Sequence, residues 1–250
     1  MVLNESRELD FTGRRVLVTG AGSGIGLAIA ENFSAHGGDL IVADIEIDRL
    51  KIKAEGLGPN VSVYQYDQSD ASSIEKLAAS VGPVDIFCNN AGINHVGPFL
   101  EQSPEIIQKI ITIDLIGPIL LARYIGEAMV KRGTGVIVNT ASQLAFHGAA
   151  TRAAYAAAKA GIVQFTKSVA AEWAPYGVRV VALAPGRTFT PMTAPLLATD
   201  EQRSEGLKHI PVGRYGNPDE MAKLAMMLAS DMASYVIGET LIADGGYVLL

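Results

Sequence analysis

The sequence has little cysteine and little charge, and both shortages exclude classes of protein. Cys88 is the only cysteine among 250 residues, so no disulfide can form within the chain. Its place in the run Val84-Asp85-Ile86-Phe87-Cys88 predicts a thiol in a strand core. Charged residues make up only 18% of the chain and the net charge is −6, which argues against a nucleic-acid-binding surface.

The chain also lacks an apolar run long enough for a membrane span. Such a span needs roughly 18 consecutive apolar residues, and the longest candidate, Ile110 to Ala122, contains Asp114 and Pro118. The N-terminal Asn4-Glu5-Ser6-Arg7-Glu8 is mixed in charge and has no apolar signal core. We therefore expect a cytoplasmic protein without membrane contact.

What the sequence does contain is a regular alternation of strand-like apolar runs and helix-like segments. The predicted strands are Arg15–Thr19, Leu40–Asp44, Val61–Tyr66, Val84–Cys88, Val136–Thr140, Val178–Leu183 and Glu239–Ala243. The predicted helices are Gly24–His36, Ile47–Glu55, Ala71–Val81, Pro104–Lys131, one around Tyr155, and Pro218–Ala229. This rhythm predicts an α/β fold with a seven-stranded parallel sheet covered on both faces.

No repeat or linker divides the chain, so we expect one catalytic, dinucleotide-binding domain over residues 1–250. The longest interruption of the rhythm lies between Pro185 and Pro218. A segment of this length near strand ends is often a lid, and we predict a substrate lid over about residues 187–216. A surface insertion without function is the alternative.

A glycine-rich turn follows the first strand directly. The run Thr19-Gly20-Ala21-Gly22-Ser23-Gly24-Ile25-Gly26 opens a helix. Glycines at 20, 24 and 26 permit a tight turn and a close approach of backbone N–H groups to a pyrophosphate, which the helix N-terminus also favours. Such a run alone is often only a turn, but here it lies inside a βαβ unit, as a dinucleotide site requires.

Asp44 ends the second strand, where a carboxylate can bind the adenosine ribose and repel a 2′-phosphate. Neither Ala21-Gly22-Ser23 nor Ile45-Glu46-Ile47 offers a cation, so the predicted cofactor is NAD.

Asp67 suits the adenine amino group, and Asn89-Asn90-Ala91-Gly92 brings a small-residue backbone beside the ribose. Each could be an ordinary strand-end residue. The cofactor contacts predicted from these strand ends are Gly20, Ser23, Gly24, Ile25, Gly26, Asp44, Ile45, Asp67, Gln68, Asn90, Ala91 and Gly92.

Tyr155 and Lys159 stand four residues apart on a predicted helix, which stacks a phenol above an ammonium. At about 4 Å and an effective dielectric of about 20, one positive charge contributes roughly 4 kcal/mol in favour of the phenolate. Such a pair more often only stabilises a helix. Ser142 supports the catalytic interpretation, because it ends the apolar run Gly135–Ala141 and can face a helix that starts one loop later.

With these motifs in order, the chain resembles the short-chain dehydrogenase/reductase family over about residues 13–247. Pro185-Gly186 followed by Thr190, and Asp244-Gly245-Gly246, match further family patterns. The resemblance implies a Rossmann sheet in the order 3-2-1-4-5-6-7, hydride transfer between nicotinamide and an alcohol or carbonyl carbon, and commonly a homotetramer.

The resemblance also implies residue roles. Tyr155 would donate or accept the proton, Ser142 would hydrogen-bond the substrate oxygen, and Lys159 would lower the pKa of Tyr155 and bind the nicotinamide ribose. The cofactor contacts implied by the resemblance are Tyr155, Lys159, Pro185, Gly186, Thr188 and Thr190. Asp114 replaces the asparagine that relatives usually carry in the fourth helix, where the main-chain carbonyl is thought to hold a water of a proton relay. We expect Asp114 to keep that role.

The residues after Gly92, after Ser142 and in the lid should form the substrate pocket. Polar or bulky candidates are Asn94, His95, Gln143, Phe146, His147, Arg152 and Arg187. Each is as readily an ordinary loop residue. We predict substrate contacts from Ser142, Tyr155, Asn94 and Gln143, of which Gln143 is best placed to bind a hydroxyl. No metal site is predicted.

These observations predict an NAD(H)-dependent oxidoreductase that interconverts a small secondary alcohol and its ketone. The similarity to bacterial sugar-alcohol dehydrogenases favours a polyol. A 3-oxoacyl thioester reductase is one alternative, disfavoured by Asp44 and the negative charge. A non-catalytic dinucleotide-binding regulator is the other, disfavoured by the intact Ser142, Tyr155 and Lys159. The helix of Tyr155 is rich in small residues and would pack against a copy of itself.

Overall fold

A single seven-stranded parallel sheet organises the chain, and the computed structural model describes residues 9–250 of it. The strand order is β3-β2-β1-β4-β5-β6-β7, so the predicted fold class and topology are confirmed. The strands are β1 (Arg15–Thr19), β2 (Asp39–Asp44), β3 (Val61–Gln65), β4 (Ile86–Asn89), β5 (Gly135–Thr140), β6 (Val178–Pro185) and β7 (Thr240–Ala243). Their ends differ from the prediction by one or two residues.

Eight helices connect or flank these strands within the described residues. They are α1 (Gly24–Ala35), α2 (Ile47–Ala54), α3 (Ala71–Ser80), α4 (Pro104–Ile111), α5 (Gly117–Arg132), α6 (Ala153–Trp173), α7 (Asp200–Leu207) and α8 (Pro218–Ala229). The segment Asn4–Glu8 lies outside the described residues.

Apolar side chains cover both faces of the sheet. Alternate residues of β1 point to opposite faces: Val16 and Val18 join the cluster under α1, α2 and α8, whereas Leu17 joins the cluster under α3, α5 and α6. Cys88 is buried in the first of these clusters, as predicted. A strand that is buried on both faces appears in the sequence as a continuous apolar run, which is why the strands could be predicted from the sequence.

The predicted helix Pro104–Lys131 is interrupted by one wide π-helical turn over Thr112–Ile116, between α4 and α5. Pro118 explains the change, because proline has no N–H and its ring displaces the carbonyl four residues earlier. Asp114 lies in this turn rather than in regular helix and is completely buried. The turn therefore moves one carboxylate into the interior beside the sheet.

The segment of residues 187–216, which we call the lid segment, contains a short 3₁₀ turn at Ala194–Leu197 and α7. Its two ends are joined, because Gly216 N donates to Arg187 O at 2.9 Å and Phe189 N donates to Gly216 O at 3.0 Å. A lid function for this segment stays a prediction. None of the helices within residues 9–250 has the length and apolar character to cross a bilayer, and the cytoplasmic location also stays a prediction.

Candidate active site

One cavity of about 600 Å³ lies at the carboxyl ends of the strands, within the size range of ligand sites. It brings together the predicted catalytic, cofactor and substrate contacts, although their individual roles stay predictions. The pocket candidates His95, Phe146 and His147 do not line it, whereas Arg152 and Arg187 do. The predicted residues that line it are Gly20, Ser23, Gly24, Ile25, Gly26, Asp44, Ile45, Asp67, Gln68, Asn90, Ala91, Gly92, Asn94, Asp114, Ser142, Gln143, Tyr155, Lys159, Pro185, Gly186, Thr188 and Thr190.

The glycine turn has the geometry of a phosphate site. Gly20 and Gly24 have φ angles of +67° and +57°, in the left-handed region that side chains disfavour. A Cβ on Gly20 would lie 2.9 Å from the Cα of Ala91. Ser23 makes no side-chain capping bond to α1, and the first turn has no acidic residue. The first N–H groups of α1 therefore suit the pyrophosphate of a dinucleotide.

Asp44 is held firmly at the end of β2, beside the glycine turn. Its carboxylate accepts hydrogen bonds from Gly22 N and Glu46 N, both at 2.9 Å. The guanidinium of Arg49 lies 3.5 Å from Asp44 Oδ1, and its side chain is 47% exposed. The sequence prediction considered only residues 21–23 and 45–47 and missed this cation, which the first turn of α2 directs back toward the strand end.

Side chains also fix the loop after β4. Thr19 Oγ1 accepts hydrogen bonds from the backbone N–H groups of Asn90 and Ala91, each at 3.1 Å. Gln68 Nε2 donates to Ala91 O at 2.8 Å and to Ile113 O at 2.6 Å. The Gln68 amide thus links this loop to the π turn. This structural contact is additional to the predicted contact of Gln68 with the cofactor.

Lys159 lies at the centre of the cavity, where three elements meet. Its ammonium donates to Thr140 O at the end of β5, at 3.0 Å, and lies 3.3 Å from Asp114 Oδ1 in the π turn. The side chains are 5% and 0% exposed. Asp114 Oδ1 also accepts from Ile93 N at 3.3 Å, whereas Oδ2 has no hydrogen-bond partner among the described residues. Burial raises the pKa of Asp114, and the charge of Lys159 opposes this only in part.

The Tyr155 phenol lies above the same ammonium, with Lys159 Nζ 5.8 Å from the ring centroid. Burial is the largest influence and raises the pKa of Tyr155, while Lys159 lowers it. Asp114 raises it further, and the neighbouring Ser142 hydroxyl lowers it. The net direction is upward, because burial and the Asp114 carboxylate together outweigh the charge of Lys159. That Lys159 lowers the pKa of Tyr155 agrees in sign with the sequence-based expectation.

The other end of the cavity holds the substrate candidates. Gln143 is buried and its Oε1 has no partner among the described residues, so it offers an acceptor to a hydroxyl group. Asn94 Oδ1 instead accepts from Arg152 Nη1 at 2.5 Å. Tyr247 also lines this end. Sequence analysis missed Tyr247 because no motif links the C-terminal turn to the catalytic helix.

The comparison with protein families gives one match that covers most of the chain. A family model described as enoyl-(acyl carrier protein) reductase matches residues 20–248. The matched range begins in the glycine turn, includes Ser142, Tyr155 and Lys159, and ends beside Tyr247.

Similar proteins have several different names. A galactitol 2-dehydrogenase (L-tagatose-forming) from Cereibacter sphaeroides is 40% identical over 243 residues, covering 95% of this chain and 96% of that protein. A 3-oxoacyl-acyl-carrier-protein reductase from Thermotoga maritima is 37% identical, covering 95% and 98%. A crystal structure of a putative NAD(P)-dependent gluconate 5-dehydrogenase from Beutenbergia cavernae, with NADP bound at low occupancy, has a TM-score of 0.91 and 40% identity, covering 97% and 100%.

The buried carboxylate of Asp114 predicts an unusual pH dependence of stability. Because its pKa is raised in the folded protein, its stabilising contribution is present below the ordinary carboxyl pKa and is lost as pH rises through the folded pKa. Asp114→Asn removes this titration. We therefore expect the free energy of unfolding of Asp114→Asn to increase relative to wild type from about pH 4 toward neutrality.

Urea unfolding at several pH values would measure this difference, and the exposed Asp48→Asn is a suitable control because Asp48 lies outside the cavity. If wild type instead gains stability over Asp114→Asn as pH rises, the attraction of Lys159 outweighs burial and the assigned direction is wrong.

Proposed function

Because the chain belongs to the short-chain dehydrogenase/reductase family, we propose that it interconverts a hydroxyl-rich secondary alcohol and its ketone with NAD(H). Family membership makes it an oxidoreductase that binds a nicotinamide dinucleotide and acts on CH–OH groups. The observation that supports the proposal most is that Ser142, Tyr155 and Lys159 share one cavity with the glycine turn.

In alcohol oxidation, Tyr155 as the phenolate takes the proton of the substrate hydroxyl, and the Ser142 hydroxyl binds the same oxygen. The glycine turn and Lys159 would hold the nicotinamide dinucleotide, which would supply the acceptor for the hydride of the carbinol carbon and, when oxidised, a positive charge. The O–H and C–H bonds break, the C=O bond forms, and the proton stays on the Tyr155 oxygen. The reverse direction returns it to the alkoxide.

Lys159 has two functions in this proposal. Its charge lowers the pKa of Tyr155 against the effect of burial. We propose that its ammonium binds the nicotinamide ribose, as the family resemblance implies. Asp114 orients Lys159 through the ion pair. We further propose that the main-chain carbonyl of Asp114 takes part in proton exchange with solvent, as its place in the family implies.

The proposed substrate is a polyol or a related secondary alcohol. Gln143 Oε1, buried and unpaired among residues 9–250, offers an acceptor to a second hydroxyl. A relative named galactitol 2-dehydrogenase supports a polyol. A relative named 3-oxoacyl-acyl-carrier-protein reductase supports the thioester alternative, but an acyl chain would give Gln143 no hydroxyl to bind.

Activity assays test the proposed reaction directly. We expect NAD reduction with polyols, and Tyr155→Phe should lower kcat by about a hundredfold to ten-thousandfold, since proton transfer is lost. NADH affinity, measured by fluorescence, should stay within about threefold. The exposed Tyr176→Phe is the control.

The same assays would include simple secondary alcohols, hydroxysteroids and 3-hydroxyacyl thioesters. No turnover of any polyol contradicts the substrate preference. Tyr155→Phe with full activity contradicts the mechanism, and an unreactive wild type that binds NADH points to a regulator.

The preference for NAD is also a proposal, and it depends on Asp44. Two backbone hydrogen bonds hold its carboxylate in place, and a Cβ on Gly22 would lie 2.9 Å from its Oδ2. A 2′-phosphate would meet this negative charge. Arg49 pairs with the carboxylate from the solvent side and offsets part of the repulsion. The similar crystal structure from Beutenbergia cavernae contains NADP at low occupancy. The preference of this chain for NAD over NADP is therefore tested by measuring activity with both cofactors.

Asp44→Ala should reverse the selection, because it removes the repulsion and leaves Arg49 free to pair with a phosphate. We expect the ratio of kcat/KM for NADP over NAD to rise by roughly tenfold to a hundredfold. In Asp44→Ala/Arg49→Ala most of this rise should disappear. Asp48→Ala, on the exposed side of α2, is the control. A loss of NAD activity with no gain for NADP would contradict the assignment.

We also propose a homotetramer, since two separate groups of apolar residues are exposed. Phe99, Leu100 and Ile116 lie near α4 and α5, whereas Tyr235 and Ile237 precede the edge strand β7. A tetramer with two-fold axes needs two different self-complementary surfaces.

Sedimentation at micromolar concentration should therefore show a tetramer for wild type and smaller species for Leu100→Glu and Tyr235→Glu. Ile52→Glu, on exposed α2, is the control. A monomeric wild type would contradict the proposal.

A further inference from the structure

The substrate end of the cavity contains two guanidinium groups. Arg152 directly precedes α6 and lies three residues before Tyr155, and Arg187 follows β6 at the start of the lid segment. Both side chains line the cavity and both are half-buried. We call them the arginine pair.

The two charges of the arginine pair influence each other. Burial lowers the pKa of Arg152, and the positive charge of Arg187 acts in the same direction. Arg152 donates to the neutral amide oxygen of Asn94 at 2.5 Å. Arg187 packs over the ring of Tyr247, 5.5 Å from its centroid. The partners that hold both guanidiniums are thus uncharged.

Within residues 9–250, no carboxylate lies within 4.0 Å of either arginine, whereas Arg49, Arg132, Arg203 and Arg214 each have one. Asp244, close in the fold, is already engaged: its two oxygens accept from Gly246 N at 2.8 Å and Val248 N at 2.9 Å. A half-buried pair of like charges without a counter-ion is costly unless a ligand supplies one.

The backbone before Arg152 is strained. Thr151 has a φ of +67°, the only non-glycine residue with a positive φ among the described residues. Its carbonyl accepts from Gly97 N at 3.1 Å, which ties the loop of Asn94 to the start of α6. Strain of this kind persists where the surrounding structure enforces it, and here it lies directly before Arg152.

We propose that the arginine pair binds an oxyanion group of the substrate, so that the alcohol is a polyhydroxy acid rather than a neutral polyol. This inference rests on the proposed function and narrows its substrate class. Guanidinium groups bind carboxylate or phosphate through paired charged hydrogen bonds. Gln143 and Ser142 then face the hydroxyl-bearing part of the molecule, while the acid group lies toward Tyr247.

The test compares aldonic acids, alditols and alditol phosphates of the same chain length and configuration, each with NAD. We expect kcat/KM for at least one acid to exceed that of its alditol by about tenfold to a hundredfold, as a charged hydrogen bond predicts. Arg152→Gln and Arg187→Gln should remove this advantage by raising KM for the acid, with Arg187→Lys restoring part of it. KM for NAD should change less than about threefold. The exposed Arg123→Gln, outside the cavity, is the control.

The aldonic acids and the phosphates distinguish the two sources of the oxyanion, and a preference for either supports the proposal. Equal turnover of acids and alditols, or alditols alone, overturns it while leaving the proposed function intact. The proposal is also overturned if the arginine variants raise KM for NAD equally with every substrate, because the arginines would then bind the cofactor.

Calorimetric titration of Tyr155→Phe with an aldonate and NADH needs no turnover. It therefore separates a failure of the oxyanion site from a failure of the proposed reaction. Binding that Arg187→Gln weakens about tenfold or more supports the oxyanion site even if no substrate reacts. The absence of any aldonate or alditol phosphate binding overturns it.

Discussion

The buried charge of Lys159 is the interaction on which the catalytic arrangement depends. Its ammonium joins the end of β5, the π turn and the ring of Tyr155, so three distant stretches of chain are positioned by one group. Burial works against each ionised partner, and only their mutual contacts keep the charges in place. Gly92 belongs to the same constraint, because a Cβ there would lie 2.6 Å from Asp114 Oδ1.

The parallel sheet explains why these stretches meet at all. Every strand of the sheet ends at the same edge, and the first N–H groups of α1 open onto that edge. The residues proposed to bind the dinucleotide, those proposed for catalysis and the lid segment are thus neighbours although they are far apart in sequence. The cavity runs from Asp44, through Lys159, to the arginine pair.

Local features of the sequence were sufficient for the strands, the glycine turn and the grouping of Ser142 with Tyr155 and Lys159, since each has a short-range pattern. The π turn was not predictable from helical periodicity, because one proline alters hydrogen bonding around it without ending the helix. Arg49 and Tyr247 reach the cavity although neither belongs to a motif that the prediction used. The pKa of Tyr155 depends on the sum of burial and four surrounding groups, which spacing alone does not reveal.

Hydrogen bonds between backbone groups tie the lid segment at two places. The hydrogen bonds between Arg187, Phe189 and Gly216 join its two ends, and Val212 N donates to Gly245 O at 3.1 Å in the C-terminal turn. The 3₁₀ turn and α7 lie between these two ties. Arg187 belongs to the first tie through its carbonyl and also lines the cavity. An anion bound to the Arg187 guanidinium, as proposed above, would therefore contact the same residue that anchors the lid segment.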